Sequence, residues 1–343
     1  MRKLRNTLYI TQDDMYLYRD GETIVLEKDR VKVKQLPIHN LEGVVFLNHA
    51  TVTPQVLELC SSHQVHVSYI SHTGQYLVKI QNPTQGNVVL RRDQYRIADD
   101  KNHSLRIAQS FCIGKIFNSR VVLQRLLRDH HDKVPTREVE NSISLLQNSI
   151  RKVTYTNTLF DLLGLEGDAA KNYYQVFDHL ILSKDQGFVF SGRSRRPPKD
   201  EVNALLSYFY MLLAHEVESA LETVGLDPQV GFYHQIRSGR SSLALDMMEE
   251  LRPFIVDRFV VTMINNKEIS KKDFFVQENG GYLIAQEAKS KLLQKWQIRK
   301  NDMIVHPYTK EKIEVGLIPY VQALLLARYV RGEMDAYPPF LMR

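Results

Sequence analysis

Residues 225–253 read GLDPQVGFYHQIRSGRSSLALDMMEELRP, and their pattern sets the character of the C-terminal part of the chain. Residues 243–251 hold no helix breaker, Ser241 or Ser242 can cap the first turn through a side-chain oxygen, and Pro253 stops the run, so a helix is predicted there. At about 100° per residue, Asp246, Glu249 and Glu250 fall on one arc, while Leu243, Leu245, Met247, Met248 and Leu251 cover the rest of the circumference. The helix is therefore expected to be buried except along its acidic side. Taken alone, acids at i, i+3 and i+4 fit the solvated face of an amphipathic helix, and a single histidine fits a structural role. Here His234 stands upstream in a loop punctuated by Gly231 and Gly239, with Arg237, Arg240 and Arg252 around it. An arginine rim beside clustered carboxylates suits a site that holds a metal ion and a phosphate together.

Outward from this stretch the periodicity changes once. Residues 7–80 carry short alternating runs, at 7–10, 16–18, 23–26, 31–36, 44–46, 65–70 and 76–80, with turns supplied by Asp20-Gly21 and Thr73-Gly74. They predict a small β domain. One helix interrupts it, with Thr53 at the N-cap, Pro54 at the first helical position and Val56, Leu57, Leu59 and Cys60 as its apolar set. Residues 83–86 mark a hinge. From about 104 to 128 the helical period is carried by Ile107, Phe111, Cys112, Ile116, Val122, Leu123, Leu126 and Leu127, with Arg106, Lys115, Arg120, Arg125 and Arg128 between them as a basic face. Such a face fits a solvated surface as well as a nucleic-acid groove.

A further helix is expected over 137–154, then another containing Tyr173, Tyr174, Val176 and Phe177. Ahead of it Glu166 sits between Gly164 and Gly167, where small neighbours permit close approach; the alternative is a carboxylate that favours a helix N-terminus. The loop SGRSRRPPKD at 191–200 cannot be helical through its proline pair and exposes Arg193, Arg195 and Arg196 for phosphate contacts, with Asp200 placed to cap a helix over 201–223. A long apolar helix is predicted over 315–331, followed by a tail at 337–343 expected to be mobile or to dock on a partner.

The 343 residues suffice for two domains, and 45 Lys+Arg against 39 Asp+Glu give a net charge of +6, compatible with an anionic partner such as DNA. Cys60 and Cys112 are too few and too far apart for a disulfide framework or a zinc knuckle, and fit core positions in a reducing compartment. The basic N-terminus lacks an apolar signal core, and no window approaches the roughly 18 apolar residues of a membrane span, so neither secretion nor a membrane partner is expected.

Taken in order, LEGDAA at 165–170, RRPP at 195–198 with Asp200, NALLSY at 203–208, GLDP at 225–228, GFYH at 231–234 and RSSLALDMMEELRP at 240–253 resemble the CRISPR-associated protein 1 family, the integrases of CRISPR adaptation, over nearly the whole chain. The start, RKLRNTLY at 2–9, and GNVVLRRDQY at 86–95 are most similar to the subtype I-C branch. The resemblance implies an α+β protein of two domains: an N-terminal β-sandwich-like domain at 1–85, a linker at 86–103, and an all-α catalytic domain at 104–343. It implies a Mg²⁺ or Mn²⁺ site formed by Glu166, His234 and Glu249, with Asp246 an additional acid close by whose share stays open. It also implies the reaction, in which a prespacer 3′-hydroxyl attacks a phosphodiester at the leader end of the repeat array, the metal assisting. Arg193, Arg195, Arg196, Arg237, Arg240 and Arg252 are then candidates for contact with double-stranded or branched DNA. The expected assembly is a homodimer bridged by a dimer of CRISPR-associated protein 2, in a prokaryotic cytoplasm. Two other readings fit the same residues: a DNA-binding scaffold without catalysis, and a metal-dependent repair nuclease acting on branched DNA.

Overall fold

In the computed structural model, which describes residues 4–71, 76–80 and 87–342, the alternating N-terminal pattern becomes two four-stranded sheets. Strands β1 (Asn6–Ile10), β2 (Met15–Asp20), β3 (Thr23–Lys28), β4 (Val31–Pro37), β5 (Leu41–Phe46), β6 (Ala50–Val52), β7 (His66–Ile70) and β8 (Tyr76–Ile80) divide into the orders β1-β5-β7-β8 and β4-β3-β2-β6. β5 lies parallel to β1 and β7, while β2 and β3 form an antiparallel hairpin whose turn has Gly21 at φ +57°. Ile10, Val44, Phe46 and Val67 of one sheet and Leu17, Ile24 and Leu26 of the other enter one buried cluster, joined by Val56, Leu59 and Cys60 of α1 (Pro54–Ser62). This is the expected sandwich-like arrangement. Thr53 stands at the N-cap of α1, but its hydroxyl finds no partner and only its carbonyl receives the Val56 and Leu57 N–H groups. The turn expected at Thr73-Gly74 and the hinge at 83–86 lie outside the described residues.

The expected linker is instead a helix. α2 (Val88–Asp99) is capped by Asn87, whose Oδ1 accepts the Leu90 N–H at 3.2 Å, and Asp100 then caps α3 (Lys101–His130) by accepting from Asn102 and His103 at 2.8 and 3.0 Å. Arg91, Arg92 and Arg96 hide the helical period, because only Leu90 and Gln94 of α2 are buried. α4 (Thr136–Thr154), α5 (Leu159–Gln175), α6 (Glu201–Val224) and α7 (Ser242–Leu251) follow. Asp200 caps α6 as expected, its Oδ1 taking the Asn203 N–H at 2.7 Å, and Gly225 closes that helix at φ +90°. Pro253 ends the regular hydrogen bonding of α7 but not the rod. The chain widens into a π-helical segment, Arg252–Asp257, which absorbs the missing N–H, and continues as α8 (Arg258–Asn265).

The C-terminal part is not purely helical. Two short hairpins, β9 (Phe274–Val276) with β10 (Tyr282–Ile284) and β11 (Met303–Val305) with β12 (Lys312–Glu314), flank α9 (Gln286–Lys300), and α10 (Ile318–Val330) comes last. The chain forms two units, Met1–Gly86 with Ala285–Asp302, and Asn87–Ile284 with Met303–Arg343, so a continuous domain over 104–343 does not match the packing. α9 joins the β unit: Gln286 Nε2 donates to the Thr11 carbonyl at 2.9 Å, and Lys300 Nζ pairs with Glu42 Oε1 at 2.8 Å. The tail is docked within the second unit. Asn118 donates to the Phe340 carbonyl at 2.7 Å and accepts from the Met342 N–H at 2.8 Å, while Tyr337, Phe340 and Met342 are buried. Among the described residues no helix is long and apolar enough to cross a membrane.

Candidate catalytic site

The three acids of α7 share one arc, as the period predicts, but all three are buried and each faces a different neighbour. Asp246 is fully enclosed. Its Oδ2 accepts the N–H groups of Phe232 and Tyr233 at 2.7 and 2.9 Å, and its Oδ1 accepts the His234 N–H at 2.8 Å and His234 Nδ1 at 2.6 Å. Gly231 is required beside it, since a Cβ there would lie 2.6 Å from Asp246 Oδ2. Neither serine caps α7 through its side chain: Ser242 Oγ donates to the Gln235 carbonyl at 3.1 Å, and the Pro228 carbonyl takes the Leu243 N–H at 2.9 Å. Gln94 of α2 holds the same loop, bonding to the Asp227 and Val230 carbonyls, each at 2.8 Å. Glu250 points away to the tail, accepting from Tyr337 Oη at 2.5 Å, Gln322 Nε2 at 2.9 Å and the Phe340 N–H at 2.9 Å; burial pushes its carboxyl up to about 7 against these bonds.

Glu249 meets Glu166 across α3. Lys115 Nζ of α3 pairs with Glu166 Oε1 of α5 and lies 2.7 Å from Glu249 Oε2, while Arg252 Nη1 lies 2.9 Å from Glu249 Oε1. The Lys115–Glu249 contact is an ion pair without hydrogen-bond alignment, so the buried Oε2 keeps a lone pair unused. Burial raises the Glu249 carboxyl, but the Arg252 and Lys115 charges outweigh it and hold the group below its ordinary value; burial likewise opposes the Lys115 ammonium and loses to Glu249 and Glu166. Glu166 stands mid-helix, not at a helix N-terminus, because Thr158 starts α5 by accepting the Asp161 N–H at 3.1 Å. Added Cβ atoms at Gly164 and Gly167 would meet nothing within 4 Å, so these glycines lie on open surface and no close approach explains them.

Behind the carboxylates, a crevice is lined by Lys115, Glu166, Tyr173, Tyr174, Arg252 and Asp257. Asp257 accepts from Tyr210 Oη at 2.5 Å and Tyr173 Oη at 3.0 Å, and the Arg252 guanidinium lies 4.8 Å above the Tyr210 ring, which fixes the cation that grips Glu249.

Among the described residues no three His, Cys, Asp or Glu side chains form a ready-made metal cage. The donor chemistry nevertheless fits a hard divalent cation with one imidazole. Two carboxylates converge on a single ammonium, Glu249 Oε2 is buried without a hydrogen bond, and Asp246 on Nδ1 leaves Nε2 of His234 as the outward ring nitrogen. Asp246, with both oxygens engaged, orients rather than ligates.

The six arginines separate. Arg195, Arg196 and Arg237 are exposed, and Arg240 and Arg252 are half-buried. Arg193 is turned inward to Asn203 Oδ1 at 2.7 Å and Ser207 Oγ at 3.1 Å, over the Tyr210 ring, which leaves its guanidinium little to offer a phosphate. Lys115 is the residue that sequence reasoning misses: the helical period assigns it to a basic outer face, and it is buried. A signal for it exists, since it follows Phe111 and Cys112 by four and three residues on the apolar stripe of α3.

This arrangement of carboxylates, imidazole and arginine within a β-unit-plus-helical-unit fold has counterparts. A casposase bound to integration product superposes with a TM-score of 0.84 at 22% identity, over 99% of this chain and 95% of that one. A chain of a Cas6-RT-Cas1–Cas2 complex gives 0.80 at 25% identity, over 98% of this chain and 36% of that one. A CRISPR-associated endonuclease Cas1 of Chlorobaculum tepidum is 44% identical over 343 residues, the full length of both. The family model described as CRISPR associated protein Cas1 matches residues 8–298, which include Glu166, His234 and Glu249, and by that match and by the full-length identity the chain belongs to the Cas1 family.

Proposed function

We propose that this chain is a divalent-metal-dependent DNA strand-transfer enzyme that inserts prespacer DNA into a CRISPR array, and that with water as nucleophile it cuts DNA as an endonuclease. The observation that carries the reading is the meeting of Glu166 and Glu249, from two helices, beside an imidazole whose Nδ1 is already engaged by Asp246. Mg²⁺ or Mn²⁺ would be held by Glu166, Glu249 and His234 Nε2, where it would polarise the phosphodiester and ease loss of the attacking hydroxyl's proton. The prespacer 3′-oxygen forms a bond to phosphorus, the P–O3′ bond of the target breaks, and its electron pair takes up a proton as a new 3′-hydroxyl. Arg252, fixed by Tyr210 and Glu249, offers positive charge to the phosphate, and the exposed Arg195, Arg196 and Arg237 suit backbone contacts.

Assembly as a homodimer bridged by a CRISPR-associated protein 2 dimer is supported by the likeness to a chain of a Cas1–Cas2 complex, and joining chemistry by the fold shared with a casposase bound to integration product. The subtype I-C placement rests on residues 2–9 and 86–95 alone. The test is an integration assay with a labelled prespacer duplex, a supercoiled leader–repeat plasmid and the partner protein. Joined product is expected with Mn²⁺ or Mg²⁺, none with chelator, and none with Glu166→Ala, His234→Ala or Glu249→Ala. Cleavage without joining would favour the repair-nuclease reading, and joining or DNA binding indifferent to all three substitutions would leave only a scaffold.

A further inference from the structure

Lys115 sits where the proposed cation would bind. Its side chain is 11% exposed, and its Nζ touches Glu166 Oε1 and Glu249 Oε2, the carboxylates assigned above to the metal. With Arg252 on the other Glu249 oxygen, two positive and two negative groups balance. An ammonium and a divalent cation cannot share two carboxylates at this range without strong like-charge repulsion, because water is largely excluded. Nor does the cluster need a third cation for neutrality: adding one leaves an excess of two positive charges.

We propose that Lys115 is a built-in competitor of the divalent cation, holding Glu166 and Glu249 together and releasing them when the cation enters with a DNA phosphate. The inference rests on the metal reading of the preceding subsection. A lysine suits the task, since its charge is a point on a flexible four-carbon stem that can turn from carboxylate to phosphate, which a planar guanidinium gripping both carboxylates would do less readily. The phosphodiester brings negative charge to a site made too positive by the cation. Cation and DNA therefore bind cooperatively, and by linkage each tightens the other by the same factor.

The experiment measures Mn²⁺ affinity of the full chain from the electron paramagnetic resonance signal of the free ion, with and without a duplex ended in 3′-dideoxynucleotides so that no joining occurs. Without DNA, Lys115→Met is expected to bind Mn²⁺ on the order of tenfold tighter than wild type, and the tightening that DNA brings to wild type shrinks in the variant. Lys115→Arg, which keeps the charge and adds a two-pronged grip, should bind Mn²⁺ more weakly than wild type; it serves if the methionine variant does not fold. Equal or weaker Mn²⁺ affinity in folded Lys115→Met, or unchanged affinity in Lys115→Arg, overturns the proposal. Glu249→Gln separates the two levels: Mn²⁺ affinity indifferent to it removes the metal reading itself, whereas affinity lost in Glu249→Gln but unmoved at position 115 sinks only the role of Lys115.

Discussion

Asp246 receives four hydrogen bonds in a dry environment, three of them from backbone N–H groups, so its loss cannot be covered by water. Asp246→Ala should cost about 3 kcal/mol or more in unfolding free energy, read from denaturant melts, and should abolish strand transfer by freeing the imidazole. Asp257 allows a pH test. Burial, only partly offset by the Tyr210 and Tyr173 hydrogen bonds, raises its carboxyl to about 6, so the folded state binds a proton the unfolded chain has already lost. Its contribution to stability is complete below about pH 4 and falls away as pH rises toward 6, the reverse of a salt-bridged aspartate. Melts of wild type and Asp257→Asn across that interval should differ in slope by an amount on the order of 3 kcal/mol. At this scale the sequence places Asp246, Glu249 and Glu250 on one arc and cannot rank them. The ranking comes from partners remote in the chain: the 231–234 backbone for Asp246, Lys115 for Glu249, the tail for Glu250.

Among elements, the closest approach of α3 to α7 decides how well the carboxylates meet. A Cβ at Gly114 would lie 2.6 Å from Glu250 Cβ and 3.2 Å from Pro339 Cβ, and Lys115 is the next residue. Gly114→Ala should lower stability by about 1–3 kcal/mol and reduce strand transfer together, since the shift that relieves the clash moves Lys115 as well. The tail belongs to the same packing. A chain ending at residue 336 would strip Glu250 of its Tyr337 and Phe340 donors and Asn118 of two partners, and its melting temperature should fall by roughly 5–10 °C. Helices with a continuous apolar stripe, such as α4 and α10, are legible from the sequence, as are the strands of alternating burial. α2 is not, because its stability comes from two caps and from Gln94 reaching the 227–230 loop, none of which leaves an apolar period. Pro253 misleads for a different reason: proline forbids one hydrogen bond, and a wider turn can do without it.

For the whole molecule, a net charge of +6 with exposed Arg195, Arg196 and Arg237 predicts DNA binding that weakens with salt. Replacing the three by alanine should flatten the slope of log affinity against log salt by about 0.9 for each phosphate that the protein no longer neutralises, measured on a duplex. The two-domain α+β character is readable because the period changes from two to 3.6 only once. The return of α9 to the β unit is not, since a helix carries no mark of which core it will join. That return has a temporal meaning. The N-terminal unit leaves the ribosome first yet lacks its last helix until all of Asn87–Ile284 has been made, so it waits, incomplete, through most of synthesis. Trp296, the only tryptophan in the chain, is fully buried in that late helix, and its emission should turn blue when the sandwich is finally closed, giving the molecule its own clock for that event.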